Sequence, residues 1–173
     1  MSTTATSAVK TGEPALTETQ FHKKMAVDLF NETWTLLDKP DRTPEDDALM
    51  SHSAHASRLH WGFVGNAENL AIGEWQVARV HAVLRQPDTA LYHARRALET
   101  ALQHQLHPFH VAFGHEAMAR ALSLTQPQAA LAHLAAARQA AAGITDPEDL
   151  KLLEGDLATI SISSENVAGP GLV

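Results

Sequence analysis

The stretch QPDTALYHARRALETAL at positions 86–102 recurs 40 residues later as QPQAALAHLAAARQAAA at positions 126–142. Proline suits the first turn of a helix, where its missing N–H has no partner to lose, so each copy marks the end of one helix and the start of the next. The sequence therefore predicts a helix–turn–helix unit of about 40 residues, present at 67–106 and again at 108–143. The matching pairs are Gln86/Gln126, Pro87/Pro127, Ala90/Ala130, Leu91/Leu131, His93/His133, Ala97/Ala137 and Ala101/Ala141.

The same helical pattern extends over most of the chain. Capping residues such as Thr17 with Gln20, Thr43, Asn66 and Asp146 precede apolar periodic segments, which is typical of helix starts. No segment alternates in the way a strand requires. We predict seven helices at roughly 18–38, 44–62, 67–85, 87–105, 108–124, 127–142 and 147–160. They form one all-α domain at 17–160, between a disordered tail at 1–16 and a flexible tail at 161–173.

Composition narrows the class of protein. The chain has 173 residues and a formal net charge of −7, which argues against a nonspecific nucleic-acid or anionic-membrane surface. It has no cysteine, so any metal ligands must be His, Asp or Glu. Neither a secretory signal nor a membrane span is evident, and we expect a soluble, cytoplasmic protein. Eleven histidines make the chain unusually rich in this residue.

The repeated unit resembles the tetratricopeptide-repeat superfamily, which has a small residue in the first helix and Ala, an apolar residue and Ala in the second. Ala78 with Ala90, Ala94 and Ala97 fits this pattern in the first unit. In the second unit the corresponding residues are Met118 with Ala130, Leu134 and Ala137. The chain departs from the family in its 40-residue period, against the usual 34, and in lacking the aromatic residues of the first helix. The resemblance implies antiparallel helix pairs stacked as an α–α superhelix, and a groove that binds a peptide or partner protein.

Two histidines of helix 2 fall on an apolar stripe. At 100° per residue, His52 and His55 project among Ala48, Leu59 and Phe63. The opposite side, with Met50, Ala54 and Trp61, is also apolar. We therefore expect helix 2 to lie between two neighbours, with His52 and His55 buried. His60 projects away from that pair, and we expect it at the surface or against another helix.

Helix 3 has the same peculiarity, because Glu74 and His81 lie on its apolar stripe with Leu70, Val77 and Ala78. A buried carboxylate is costly unless it is paired. If helices 2 and 3 pack antiparallel, the four polar residues of the two stripes converge. The predicted cluster consists of His52, His55, Glu74 and His81.

Three interpretations of this cluster remain open. It can be a buried hydrogen-bond network that fixes helix register. It can bind a divalent metal, for which Zn, Fe, Mn and Ni suit imidazole and carboxylate ligands. It can also act as an acid and base on a small substrate, which would make the protein an enzyme.

The tryptophans Trp34, Trp61 and Trp75 lie on three successive helices, where they either fill the core or line a pocket. His93 and His133 share a repeat position, which favours a structural role. The leading expectation is a small interaction or scaffold protein that binds a partner protein or peptide. The alternative is a metal- or small-ligand-binding protein, with or without enzymatic activity. Uncapped end faces also suggest a homodimer.

Overall fold

The computed structural model describes residues 15–162, which form seven α-helices and no strand. The all-α prediction is therefore confirmed over this range. The predicted tails lie almost entirely at 1–14 and 163–173, outside the described residues. The helices are α1 (Glu18–Leu37), α2 (Pro44–Val64), α3 (Ala67–Val83), α4 (Pro87–Gln103), α5 (Pro108–Leu122), α6 (Pro127–Ala141) and α7 (Pro147–Ala158).

Side-chain caps fix the starts of the first three helices. The hydroxyls of Thr17 and Thr43 and the side-chain oxygen of Asn66 each accept a hydrogen bond from the backbone N–H three residues later. In each case that later residue returns a hydrogen bond to the backbone of the cap, which completes a capping box. Helix α2 continues through Gly62 and ends at Val64, with Gly65 as its C-cap. A glycine inside the last turn is thus tolerated here.

The helices pack as adjacent pairs in chain order: α1 with α2, α3 with α4, and α5 with α6. Successive pairs contact each other through α2 and α3 and through α4 and α5. The first helices of the second and third pairs, α3 and α5, also touch, and α7 packs on α5. This arrangement places the first helix of each pair beside the first helix of the next.

Alanine allows the close approach of these helices. Ala90 and Ala130, which match in the sequence repeat, are both fully buried. They belong to one cluster with Ala94, Ala117 and Leu122, which joins α3, α4, α5 and α6. Small side chains at such positions let two helix backbones come together without a void.

Two glycines make equivalent contacts one repeat apart. A Cβ on Gly73 of α3 would meet the side chain of Arg58 on the preceding helix, at 2.7 Å from its Cδ. A Cβ on Gly114 of α5 would lie 2.8 Å from the backbone Cα of Leu98, again on the preceding helix. The spacing of 41 residues between these glycines extends the internal repeat to the first helix of each pair.

The expected burial of α2 is wrong in one respect. The face with Met50 and Ala54 is buried, together with Ser53 and Ser57. The stripe of Ala48, Leu59 and Phe63 is exposed, with Phe63 at 62 %, and His52 and His55, which were expected to be buried, are exposed with it. The serines explain the choice of face, because they are small and satisfy their hydroxyls against α1: Ser57 donates to the Ala26 carbonyl at 2.7 Å, and Ser53 donates to Glu32 at 2.7 Å.

Within residues 15–162, no helix combines the length and the apolar character that crossing a membrane requires.

Candidate binding cavity and histidine cluster

A cavity of about 430 Å³ opens on the side of the protein formed by α1, α3, α5 and α7. Ligand sites of proteins typically measure about 300–1,000 Å³, so the volume suits a small apolar group. Most of its walls are carbon. The lining residues are Phe30, Trp34, Ala71, Ile72, Trp75, Ala97, Phe109, His110, Phe113, Gly114, Leu152 and Asp156.

Aromatic rings form a continuous wall of the cavity. The ring centroids of Trp34 and Trp75 lie 5.7 Å apart, which joins α1 to α3. Trp75 meets Phe113 of α5 edge to face at 5.3 Å, and Phe113 lies 4.6 Å from Phe109. Edge-to-face and tilted contacts at these distances are favourable, so the wall is held in one arrangement.

A buried carboxylate holds Trp75 in place. Glu116 of α5 is fully buried and accepts a hydrogen bond of 2.8 Å from the indole Nε1 of Trp75. It also accepts from Arg120, one turn along α5, at 2.7 Å. Because the indole N–H is used in this bond, Trp75 offers the cavity its carbon surface alone.

The charges beside the cavity compensate one another. Arg79 of α3 contacts both Glu116, at 3.4 Å, and Asp156 of α7, at 3.0 Å. The guanidinium of Arg79 also lies 6.0 Å from the ring centroid of Trp34. With Arg120 counted, two carboxylates face two guanidinium groups, so this side of the cavity carries no net charge.

One polar side chain of the cavity wall is less well satisfied. The Nδ1 atom of His110 is buried and has no hydrogen-bond partner among the described residues. Burial lowers the pKa of this imidazole below its ordinary value of 6.5. A neutral His110 therefore adds no charge to the cavity.

The three tryptophans separate into two groups. Trp34 and Trp75 line the cavity, as one interpretation of the sequence proposed. Trp61 is half-buried near the end of α2 and is not among the lining residues. Its six-membered ring lies against Gly65, close to where a Cβ there would project.

The predicted histidine–glutamate cluster lies on the other side of α3, and Glu74 is its centre. The Glu74 side chain is buried and receives hydrogen bonds from Arg58 of α2 at 3.0 Å and Arg96 of α4 at 2.9 Å. His93 of α4 binds its second oxygen at 2.6 Å. Although burial alone would raise the pKa of Glu74, the bonds from His93 and Arg96 lower it to about 2.

His55 and His81 join α2 to α3 through a hydrogen bond of 2.9 Å between their Nε2 atoms. The Nδ1 of His81 lies 2.5 Å from the side-chain oxygen of Gln86, so it carries the proton of that bond. It follows that His81 accepts at Nε2 and His55 donates. Burial, and then the proximity of the other imidazoles, lowers the pKa of both residues.

His52 stands apart from this set, since it takes part in none of the hydrogen bonds of the cluster. The fourth residue of the cluster is His93 rather than His52, and its ring centroid lies 5.1 Å from that of His55. Glu74 has both oxygens engaged by the two arginines and His93. Within residues 15–162, no three His, Asp or Glu side chains are grouped in a way that could hold a metal ion.

Comparison with protein-family models, with curated proteins and with solved structures found no match.

Sequence reasoning missed both Glu116 and the contribution of His93. The sequence did contain a signal for Glu116. Arg79 and Arg120 are 41 residues apart and match in the repeat, and both arginines bind Glu116. For the second, His93 and His133 match in the repeat, and each binds a residue of the preceding helix. The partner is Glu74 for His93 and His115, at 2.9 Å, for His133. Glu74 and His115 therefore occupy equivalent positions, with a carboxylate in the first unit and an imidazole in the second.

Proposed function

We propose that this protein is a binding domain of tetratricopeptide-like architecture that recognises a partner polypeptide by enclosing one or two of its apolar side chains. The observation that carries the proposal is the aromatic cavity between α1, α3, α5 and α7. Its position supports a binding role, since it lies where the first helices of successive pairs meet. In the repeats that the sequence resembles, stacked helix pairs present extended binding surfaces.

The chemistry of the walls limits what can enter. A charged group would lose its hydration without gaining a partner, because Arg79, Arg120, Glu116 and Asp156 already neutralise one another. An aromatic or large aliphatic side chain instead gains contact with Trp34 and the other rings. We therefore expect the recognised segment to contain an uncharged apolar residue as its anchor.

Selection from a displayed library of random peptides tests this proposal. We expect peptides with a common Trp, Phe, Leu or Met to be enriched on the protein and to change its tryptophan fluorescence, because Trp34 and Trp75 form the wall. Synthetic versions of the enriched peptides should bind in titration, and replacing the common residue by Ala should weaken binding by about tenfold or more.

Two variants identify the site. Ile72→Trp places a larger side chain at the cavity wall and should abolish peptide binding, whereas Leu131→Trp, at an exposed position of α6, should leave it unchanged. Circular dichroism checks that both variants fold. Peptides that bind Ile72→Trp as well as the parent, or a library with no enrichment, would overturn the proposal.

A further inference from the structure

The first turns of three helices meet at one end of the aromatic cavity. His110, which lines the cavity, lies in the first turn of α5, Glu68 in the first turn of α3 and Asp149 in the first turn of α7. Both carboxylates are close enough to act on the imidazole of His110: they raise its pKa, although burial has the larger effect and lowers it. This end of the cavity is therefore flanked by carboxylates from two of its walls.

Helix geometry places both carboxylates on the cavity side of their helices. Side chains three or four residues apart lie on one face of a helix. Glu68 precedes the lining residues Ala71 and Ile72 by three and four residues, and Asp149 precedes the lining residue Leu152 by three. Each carboxylate is thus one turn nearer to the start of its helix than the cavity wall. Glu68 is exposed and Asp149 half-buried, so both are accessible to a ligand that projects from the cavity.

These two carboxylates have no cationic partner within residues 15–162. Neither side chain forms an ion pair or a hydrogen bond there, whereas the neighbouring Glu148 pairs with Lys151 at 3.9 Å. His110 is neutral at pH 7, because burial lowers its pKa below 6.5. Carboxylates in a first turn also suit the helix dipole, but a full negative charge exceeds the roughly half positive charge of each helix end. This end of the cavity is therefore negatively charged.

From this arrangement we propose that the cavity takes a ligand that is cationic as well as apolar, in which an apolar side chain enters the cavity and a neighbouring Lys or Arg lies between Glu68 and Asp149. The inference rests on the proposed function, because it adds a second feature to the recognised segment. Asp156, which also lines the cavity, is already paired with Arg79, so the cation gains more at the end with the free carboxylates. The net charge of −7 acts in the same direction, since it attracts a basic partner.

Three small ligands with the same indole ring test the charge requirement. Tryptamine is a cation at pH 7, indole-3-propionamide is neutral and indole-3-propionate is an anion. In NMR titrations of the full chain at low salt, tryptamine should bind about threefold to tenfold more tightly than the amide, and the propionate more weakly than the amide. The differences should shrink at about 1 M salt, which screens exposed charges.

A double variant assigns the preference to the two carboxylates. Glu68→Gln combined with Asp149→Asn should bring the affinities of the three ligands within about twofold of one another and leave that of the amide unchanged. The matched control is Glu99→Gln combined with Glu154→Gln, which removes two exposed carboxylates of α4 and α7 and changes the net charge equally. The control should keep the order of affinities found in the parent.

The outcomes separate this inference from the proposed function. Equal binding of the three ligands to the parent, or the same order in the double variant as in the parent, would overturn the requirement for a cation and leave the apolar cavity as a binding site. Equal loss of the order in the control would assign it to the net charge of the protein and also overturn the inference. Failure of all three ligands to bind the parent would count against the cavity itself, and with it against both proposals.

Discussion

Glu74 carries its charge inside the protein because Arg58, Arg96 and His93 surround it. An unpaired carboxylate at this depth would be too costly to remain ionised. Its partners come from α2 and α4, so this one residue of α3 ties three helices together. The chain thus uses a buried ion cluster where a larger protein could use more apolar contacts.

Glu74→Gln should lower the free energy of unfolding by about 2–4 kcal/mol, because Arg58 and Arg96 would lose the carboxylate charge that compensates theirs. Urea unfolding at pH 7 measures the change. Glu99→Gln, at an exposed position of the neighbouring helix α4, is the control and should remain within about 0.5 kcal/mol of the parent.

The dependence of the free energy of unfolding on pH in acid solution gives a second test of Glu74. Its folded pKa of about 2 lies below the ordinary value of 4.5, so the unfolded chain binds the proton more readily. The stabilisation is therefore complete above pH 4.5 and declines as the pH falls toward 2. In Glu74→Gln the decline over this interval should be smaller. An unchanged decline in Glu74→Gln would mean that other carboxylates determine the loss of stability in acid.

At the scale of the helix, the distance between α4 and α5 depends on Gly114. A Cβ at this position would meet the Leu98 backbone, which cannot rotate away as a flexible side chain could. Gly73 differs in that the nearest atom is in the Arg58 side chain, which Glu74 holds by a hydrogen bond, and not in a backbone. The two glycines therefore occupy equivalent positions but differ in how strictly each is required.

Gly114→Ala should destabilise the protein by about 1–3 kcal/mol, because overpacking outweighs the gain in helix propensity. Gly155→Ala is the control: it lies within α7, where the new Cβ would meet no atom within 4 Å apart from its chain neighbours and its own helix backbone, and should stabilise by about 0.5–1 kcal/mol. Thermal unfolding followed by circular dichroism measures both. Stabilisation by Gly114→Ala would show that α4 and α5 can move apart freely.

At the scale of the molecule, three pairs of histidines within residues 15–162 connect different helices through direct imidazole–imidazole hydrogen bonds. His22 with His60 joins α1 to α2, His55 with His81 joins α2 to α3, and His115 with His133 joins α5 to α6. One imidazole of each pair must accept the bond with an unprotonated nitrogen. The pairs therefore persist only while at least one partner is neutral.

These pairs predict that the protein loses stability in mild acid. Burial lowers the pKa of His55, His81, His115 and His133 below 6.5, so the unfolded chain binds more protons than the folded one as the pH falls. The free energy of unfolding is then highest above pH 6.5 and decreases below it. Urea titrations between pH 7.5 and pH 5 measure the slope.

A variant pair assigns that slope to the paired histidines. His115→Gln should reduce it, because a group that titrates differently in the two states is removed, whereas His104→Gln, at an exposed position, should not. A stability that is constant over this interval, or equal slopes in both variants, would contradict the assignment.

The sequence alone determined the helices and their order. Capping residues and first-turn prolines act within one turn of a helix, so Thr17, Thr43 and Asn66 mark the same starts in the sequence and in the structure. The 40-residue match repeats those signals at 86–102 and 126–142. It also indicated that Glu74 and His81 lie on a packed face, since α3 has apolar neighbours on several sides.

Only the tertiary structure decided which face of α2 is buried and where the cavity lies. Periodicity gives the angles between side chains on one helix, but not the direction from which a neighbour approaches. Ser53 and Ser57 gave the closer approach to α1, so the more apolar stripe with Leu59 remained exposed. Glu116 is bound by residues of α3 and α5, and one of these, Arg79, also binds Asp156 of α7. These residues are distant in the sequence, so no local pattern predicts that they meet.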